Sequence, residues 1–137
     1  MTGYLLDTNI ISETRKTQAN PGVVKFLTNV DSDRLFISVI TLGELHRGVQ
    51  LKQQSDPSAA KKLRDWVHEI ETTFADRILL IDATIARLWG QLSAKRSLPV
   101  VDTLIAATAL RHDLTLVTRN IKDVKATSVI TMNPWQC

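Results

Sequence analysis

The chain has 137 residues, of which 44% are hydrophobic and 23% charged, and it carries a net charge of +3 with a pI of about 9.2. These values describe one globular domain over residues 1–137 and exclude a disordered or collagen-like chain. The single cysteine, Cys137, excludes an intrachain disulfide and a cysteine-based metal site. No apolar run approaches the ~20 residues of a membrane span, and no charged segment followed by a long apolar stretch marks a secretory signal. The expected location is therefore the cytoplasm, and the mildly basic balance permits a polyanionic partner.

Tyr4-Leu5-Leu6 is a continuous apolar run that ends on Asp7, Thr8 and Asn9, as a buried parallel strand does when it leaves its sheet. A short helix over 10–16 follows. Asn20-Pro21 starts the next helix, with a capping side chain and proline at the first helical position; Val23, Val24 and Leu27 supply its inward face. Residues 34–39 are β-like. Residues 40–54 read as a helix with Leu42, Leu45 and Val49 on one side.

Asp56-Pro57 starts another helix, whose stripe of Leu63, Trp66, Val67, Ile70 and Phe74 packs on its own sheet or meets a partner. Residues 78–81 read as a second buried strand, and Asp82 opens a helix to about Arg96. Residues 100–112 form a helix apolar almost all round, which belongs at the centre of a protein. Residues 115–118 and 129–131 are the remaining strands. Strands alternating with helices throughout predict a three-layer α/β/α sandwich around a parallel sheet of four to five strands.

Four acids fall at predicted strand ends or helix starts: Asp7, Glu44, Asp102 and Asp123. Each also has a structural explanation. Asp7 can form an Asx turn, and Thr41-Leu42-Gly43-Glu44 matches a capping box. Asp102 suits the first turn of a helix, and Asp123 suits a solvated loop. Taken together, they lie along the edge where a parallel sheet builds its sites. Two carboxylates 4 Å apart repel by about 4 kcal/mol at an effective dielectric near 20. A cluster therefore calls for shared protons or a hard, oxygen-ligated cation. Thr8, Asn9, Ser38, Thr118 and Asn120 share that edge and are suited to orienting waters or acids.

Other chemistry is sparse. His46 has no spaced histidine partner, and no nucleophile elbow, Walker A loop or dinucleotide fingerprint is present. Trp66, Trp89 and Trp135 are scattered in sequence and read as packing residues.

Leu5-Leu6-Asp7-Thr8-Asn9, Ile37-Ser38 through Thr41 with Glu44-Leu45, residues 99–107 from Pro99 through Asp102, and Leu116-Val117-Thr118-Arg119-Asn120 occur in the order seen in a PIN domain. With the closing Asn133-Pro134-Trp135, the whole pattern resembles the VapC toxins of bacterial toxin–antitoxin pairs, in the branch close to FitB. The resemblance implies a Mg²⁺- or Mn²⁺-dependent ribonuclease that acts on RNA, pairs with a VapB-type antitoxin and forms a homodimer. It aligns Asp7, Glu44 and Asp102 with the family's first three acids. Asn120 stands where many relatives carry an acid, and Asp123, three residues on, is the expected fourth.

In this reading Asp7 and Asp102 are the main metal ligands, directly or through water, and Glu44 and Asp123 complete the surroundings of the ion or hold a second one. Arg15, Lys16, Arg47, Arg119 and Lys122 are candidates to hold RNA phosphates. Asp113 replaces a helix-ending glycine, and Val124 replaces a usual phenylalanine. Three other readings remain open at this stage: a phosphotransfer or receiver domain, a non-catalytic RNA- or protein-binding module, and an RNA-processing nuclease without an antitoxin.

Overall fold

The first strand, β1 (Tyr4–Leu6), lies in the middle of the sheet. The computed structural model describes residues 2–136, so Cys137 lies outside the described residues. The other strands are β2 (Leu35–Ser38), β3 (Ile78–Leu79), β4 (Thr115–Val117) and β5 (Thr131–Met132). They are all parallel, in the order β3-β2-β1-β4-β5. Tyr4 lies opposite both Leu35 and Thr115, and Leu6 lies opposite Val117.

Alternation along the strands divides the core. Leu6, Leu35, Ile37 and Val117 face one side, with Ile10, Phe26, Leu45, Val49 and Val67. These come from α1 (Thr8–Thr14), α2 (Pro21–Asn29), α3 (Val39–Ser55) and α4 (Pro57–Thr73). Leu5 and Leu116 face the other side, with Ile105, Ala106, Ala109 and Val124. Those helical residues belong to α6 (Val100–Arg111) and α7 (Ile121–Val124), and α5 (Ala83–Ala94) packs on α6. Burying each Leu, Ile or Val fully is worth about 1.5–3 kcal/mol over leaving it exposed, so the sheet is stabilised from both faces. The architecture is the expected α/β/α sandwich, with five strands.

Local chemistry sets the helix starts. Asn20 accepts from the backbone N–H of Gly22 and Val23, and Asp56 accepts from that of Ala59. Gly22 must be glycine, because a Cβ there would run into the Pro134 carbonyl oxygen. That close approach ties the tail at 133–136 to α2. In α6, the buried Thr103 and Thr108 satisfy their hydroxyls by donating to the carbonyls of Pro99 (2.6 Å) and Leu104 (2.8 Å). These back-bonds let a polar residue sit in a helix buried in the core. Arg77 anchors the end of α4 to β2 by donating to the Leu35 carbonyl (2.9 Å) while lying over the Phe74 ring.

Several expectations need correction. The capping box at 41–44 does not form: β2 runs directly into α3, so Ser38 is the cap and accepts from Ile40 N–H (3.0 Å). Residues 78–81 do not form a buried strand. β3 is a two-residue edge strand of half-buried residues, and Leu80 beyond it is 67% exposed. The last strand begins at Thr131 rather than Val129, because Val129 turns into the core. Val24 points outward and Phe26 takes its place in the core. The α4 stripe does pack inward, with Val67 and Phe74 buried and Leu63, Trp66 and Ile70 against them. Asp113 ends α6 in the left-handed region at φ 55°, and Ser128 (φ 64°) does the same near the tail.

Candidate active site

Asp7 is held by both its backbone and its side chain. Its N–H donates to the Val117 carbonyl (2.9 Å), which continues the sheet register past the end of β1. One carboxylate oxygen, Oδ1, accepts from the Thr8 N–H (2.7 Å) and caps α1. The other, Oδ2, accepts from the Thr118 hydroxyl (2.7 Å) and more weakly from Asn9 Nδ2 (3.4 Å). The Asx-turn reading and the site reading of Asp7 thus describe two different oxygens. The residue is 7% exposed. Burial raises its pKa, the bonds from Thr118 and Thr8 pull it back, and the charge of Asp123 adds to the rise.

Glu44 lies in the second turn of α3, one turn deeper than a capping residue would. It is fixed by the Thr8 hydroxyl, which donates to Oε1 across 2.5 Å and sits 3.1 Å from the hydroxyl of the fully buried Thr41. Asp102 is in the first turn of α6. Its pKa is raised to about 6 by burial and then by the charges of Asp7, Asp123 and Glu44. Four carboxylates from four separate parts of the chain therefore share one field.

Asp7, Glu44, Asp102 and Asn120 line a cleft of ≈ 330 Å³, with Thr8, Asn9 and Ser12 completing its wall. Asp123 is exposed and faces a neighbouring hollow beside Arg119, Lys122 and Asn133. It acts on the cleft through its charge, whereas Asn120 lines the wall. The Thr118 hydroxyl joins these pieces: it donates to Asp7 and accepts from the Asn120 N–H (3.0 Å). Asn9 Oδ1 accepts from the Arg119 N–H (3.3 Å), which clamps the loop after β4 to the start of α1.

Ser38 is not in this network; its hydroxyl caps α3. His46 bonds Glu71 (3.0 Å) between α3 and α4 and does not reach the acids. Among the basic residues, Lys16 pairs with Glu13 (2.9 Å), which also accepts from the Asn20 N–H (2.8 Å). Those contacts, Lys16 first, hold the Glu13 carboxyl below its usual range. Arg15 and Arg119 lie over the rings of Trp66 and Trp135. Two residues of the site were not among the expected ones: Thr41, which reads as a cap, and Ser12, one turn into a helix.

The donor set bears on whether a cation belongs here. All side chains of the cleft offer oxygen or amide groups, and burial and three carboxylates all push Asp102 in one direction. A hard, oxygen-ligated cation relieves that stress, so the residues fit Mg²⁺ or Mn²⁺ and do not suit zinc. Among the described residues, no three acids or histidines already converge as a ready-made metal cage. No helix among them is long and apolar enough to cross a membrane.

Comparison with known proteins places this geometry in context. The PIN domain family model matches residues 4–127. The toxin FitB of Neisseria gonorrhoeae is 35% identical over 141 residues, covering 96% of this chain and 97% of that protein. The crystal structure of FitAcB from Neisseria gonorrhoeae superposes with a TM-score of 0.89 at 34% identity, covering 98% of this chain and 99% of that one. The VapC ribonuclease Y4jK of Sinorhizobium fredii is 30% identical and covers 96% of this chain and 97% of its own length. A toxin–antitoxin complex from Klebsiella pneumoniae superposes with a TM-score of 0.71 at 27% identity, covering 96% of this chain and 98% of that one.

Proposed function

This chain belongs to the PIN domain family, and from that membership and its acidic cleft we propose that it is a ribonuclease, the toxin of a VapBC-type toxin–antitoxin pair. One observation carries the reading: Asp7, Glu44 and Asp102, from separate parts of the chain, line one cleft, where burial and then the charges of Asp7, Asp123 and Glu44 raise Asp102 to about 6. The names of the similar proteins, a toxin, a VapC ribonuclease and a toxin–antitoxin complex, support it.

In this proposal Asp7 and Asp102 would be the main ligands of Mg²⁺, or of Mn²⁺, Glu44 would complete the set from the cleft wall, and Asp123 would add its charge from beside the cleft. Held by these carboxylates, such an ion would supply a more acidic bound water and a positive charge facing the phosphate. The chain's own residues do the positioning. Thr118 and Asn9 orient Asp7, Thr8 orients Glu44, and Asn120 lines the cleft with an amide that brings no charge. The substrate is RNA, whose phosphates meet Arg15, Lys16, Arg47, Arg119 and Lys122. The partner is a VapB-type antitoxin, and the protein works as a homodimer in the cytoplasm.

The test is cleavage of total RNA by the purified chain with Mg²⁺ or with chelator. Parent protein should cut only with the metal. Asp7→Asn and Asp102→Asn should each lose more than the roughly 10–100-fold typical of residues that only support a ligand, with circular dichroism unchanged. Undiminished cleavage by both variants would overturn the assignment. Coexpression with a VapB-type antitoxin encoded beside it should suppress the activity; a chain that cuts RNA but has no such neighbour would be a processing nuclease.

A further inference from the structure

Trp66 and Trp135 are 69 positions apart in sequence, yet each carries an arginine over its ring, and each of those arginines lines a groove that adjoins the acidic cleft. The Arg15 guanidinium carbon is 5.9 Å from the Trp66 ring centre, and that of Arg119 is 5.1 Å from the Trp135 ring centre. The first pair lines a groove of ≈ 360 Å³ that shares Thr8, Ser12 and Glu44 with the cleft. The groove beside Arg119, of ≈ 420 Å³, shares Asn120 with it. The two lie on opposite sides. The first is bounded by Glu44 of α3, which follows β2, and the second by Arg119, which follows β4; β2 and β4 flank β1 in the sheet.

From this arrangement we propose that the two arginine–tryptophan pairs are nucleotide subsites that hold bases of the RNA strand on either side of the phosphate being cut. The proposal rests on the ribonuclease reading and assigns how that site grips its substrate. Three features favour a nucleotide as the occupant. Both grooves run into the cleft. Both fall within the roughly 300–1,000 Å³ of small-molecule pockets. Each also carries an arginine laid over a tryptophan ring, with Trp66 in the wall of the first groove and Trp135 joined to the second through Arg119, beside a carboxylate cluster that by itself repels RNA. Arginine planes and aromatic rings are the surfaces on which unpaired bases stack, and the guanidinium also meets the phosphate. Arg15 and Arg119 are exposed and their tryptophans are half-buried, so a base can slide over or replace the guanidinium without disturbing the core.

The experiment measures binding of a fluorescent oligoadenylate and of its abasic ribose-phosphate counterpart to the full chain carrying Asp102→Asn, which prevents cleavage. The oligoadenylate should bind more tightly than the abasic strand by about 5- to 160-fold for each base that stacks. Trp66→Ala and Trp135→Ala should each shrink that ratio, and the double variant should remove most of it. Trp66 and Trp135 both pack against the core, so Arg15→Lys and Arg119→Lys provide a second route. Each keeps the charge, and each should weaken the oligoadenylate while sparing the abasic strand. Equal binding of the two strands, or a ratio unmoved by all four substitutions, would overturn the proposal and assign the grooves to a protein segment. Metal-dependent cleavage by the parent chain would still stand in that case, so failure of the subsites is distinguishable from failure of the ribonuclease reading.

Discussion

Thr118, at the end of β4, donates its hydroxyl to Asp7, at the end of β1, across 2.7 Å and 111 positions of sequence. Thr118→Val keeps the volume and removes the donor. The buried Asp7 Oδ2 is then left with only the long contact from Asn9. A buried acceptor that loses its partner costs about 1–3 kcal/mol, which urea unfolding should register. The Thr118 bond also lowers the Asp7 pKa, so the acidic limb of the pH–rate profile should move to higher pH. Activity should fall about 10–100-fold, as for other residues that orient a ligand. An unmoved acidic limb would remove Thr118 from the site.

Asp102 titrates at about 6 in the folded chain, against 3.8 for an unperturbed side chain. The folded state therefore binds more protons than the unfolded state between those two values. Stability from this group falls as pH rises through that window, and the loss is complete once the folded carboxyl has ionised. In chelator at pH 7, Asp102→Asn should melt at a higher temperature than the parent, and its stability should depend less on pH across the window. Mg²⁺ should raise the Tm of the parent by more than that of the variant. Equal Mg²⁺ shifts would show that Asp102 does not meet the ion.

Asp123 raises both Asp7 and Asp102 through its charge, although it does not line the cleft. Asp123→Asn removes a like charge, so both carboxyls should ionise at lower pH and the acidic limb of activity should move down. Asn120→Ala should leave that limb in place and lower the rate. The opposite pattern would make Asn120 the electrostatic member of the pair and Asp123 the structural one.

Asp113 ends α6 at φ 55°, a region that aspartate tolerates and a β-branched residue does not. Asp113→Val should destabilise the chain by about 1–2 kcal/mol. Asp113→Gly should stay within about 1 kcal/mol of the parent, because relief of the left-handed cost is offset by a freer unfolded chain. Chemical denaturation checks both. RNA cleavage at a temperature where both variants are folded should be unchanged, since Asp113 lies at the far end of α6 from Asp102.

The features legible in the sequence are those written in neighbouring residues. The apolar run ending on Asp7 and the caps at Asn20-Pro21 and Asp56-Pro57 are local, and the structure has them in place. Features decided by distant partners were not legible. Thr41 and Glu44 have the spacing of a cap, but β2 delivers Ser38 to that duty, and Thr8 from another helix holds Glu44. Ile78 and Leu79 are as apolar as a central strand, but whether a strand lies at the edge depends on the order of the whole sheet. Asn120 and Asp123 divide between cleft wall and remote charge according to how the loop after β4 turns. The arginines that lie over two of the scattered tryptophans, Trp66 and Trp135, come beside the cleft only once both flanks of the sheet exist.

The central position of β1 sets the order in which the chain can become harmful. Its two neighbours in the sheet begin at Leu35 and Thr115, so one flank is available early in synthesis and the other only near its end. Loop closure over such a separation is slow compared with local helix formation, and Asp7 cannot receive the Thr118 hydroxyl before residue 118 has emerged. A ribosome-bound chain can therefore build β1, β2 and the helices up to α4 while its cleft still lacks Asp102 and the β4 side. The cutting centre is completed among the last events of folding, which gives a neutralising partner present during synthesis time to meet a chain that is still harmless.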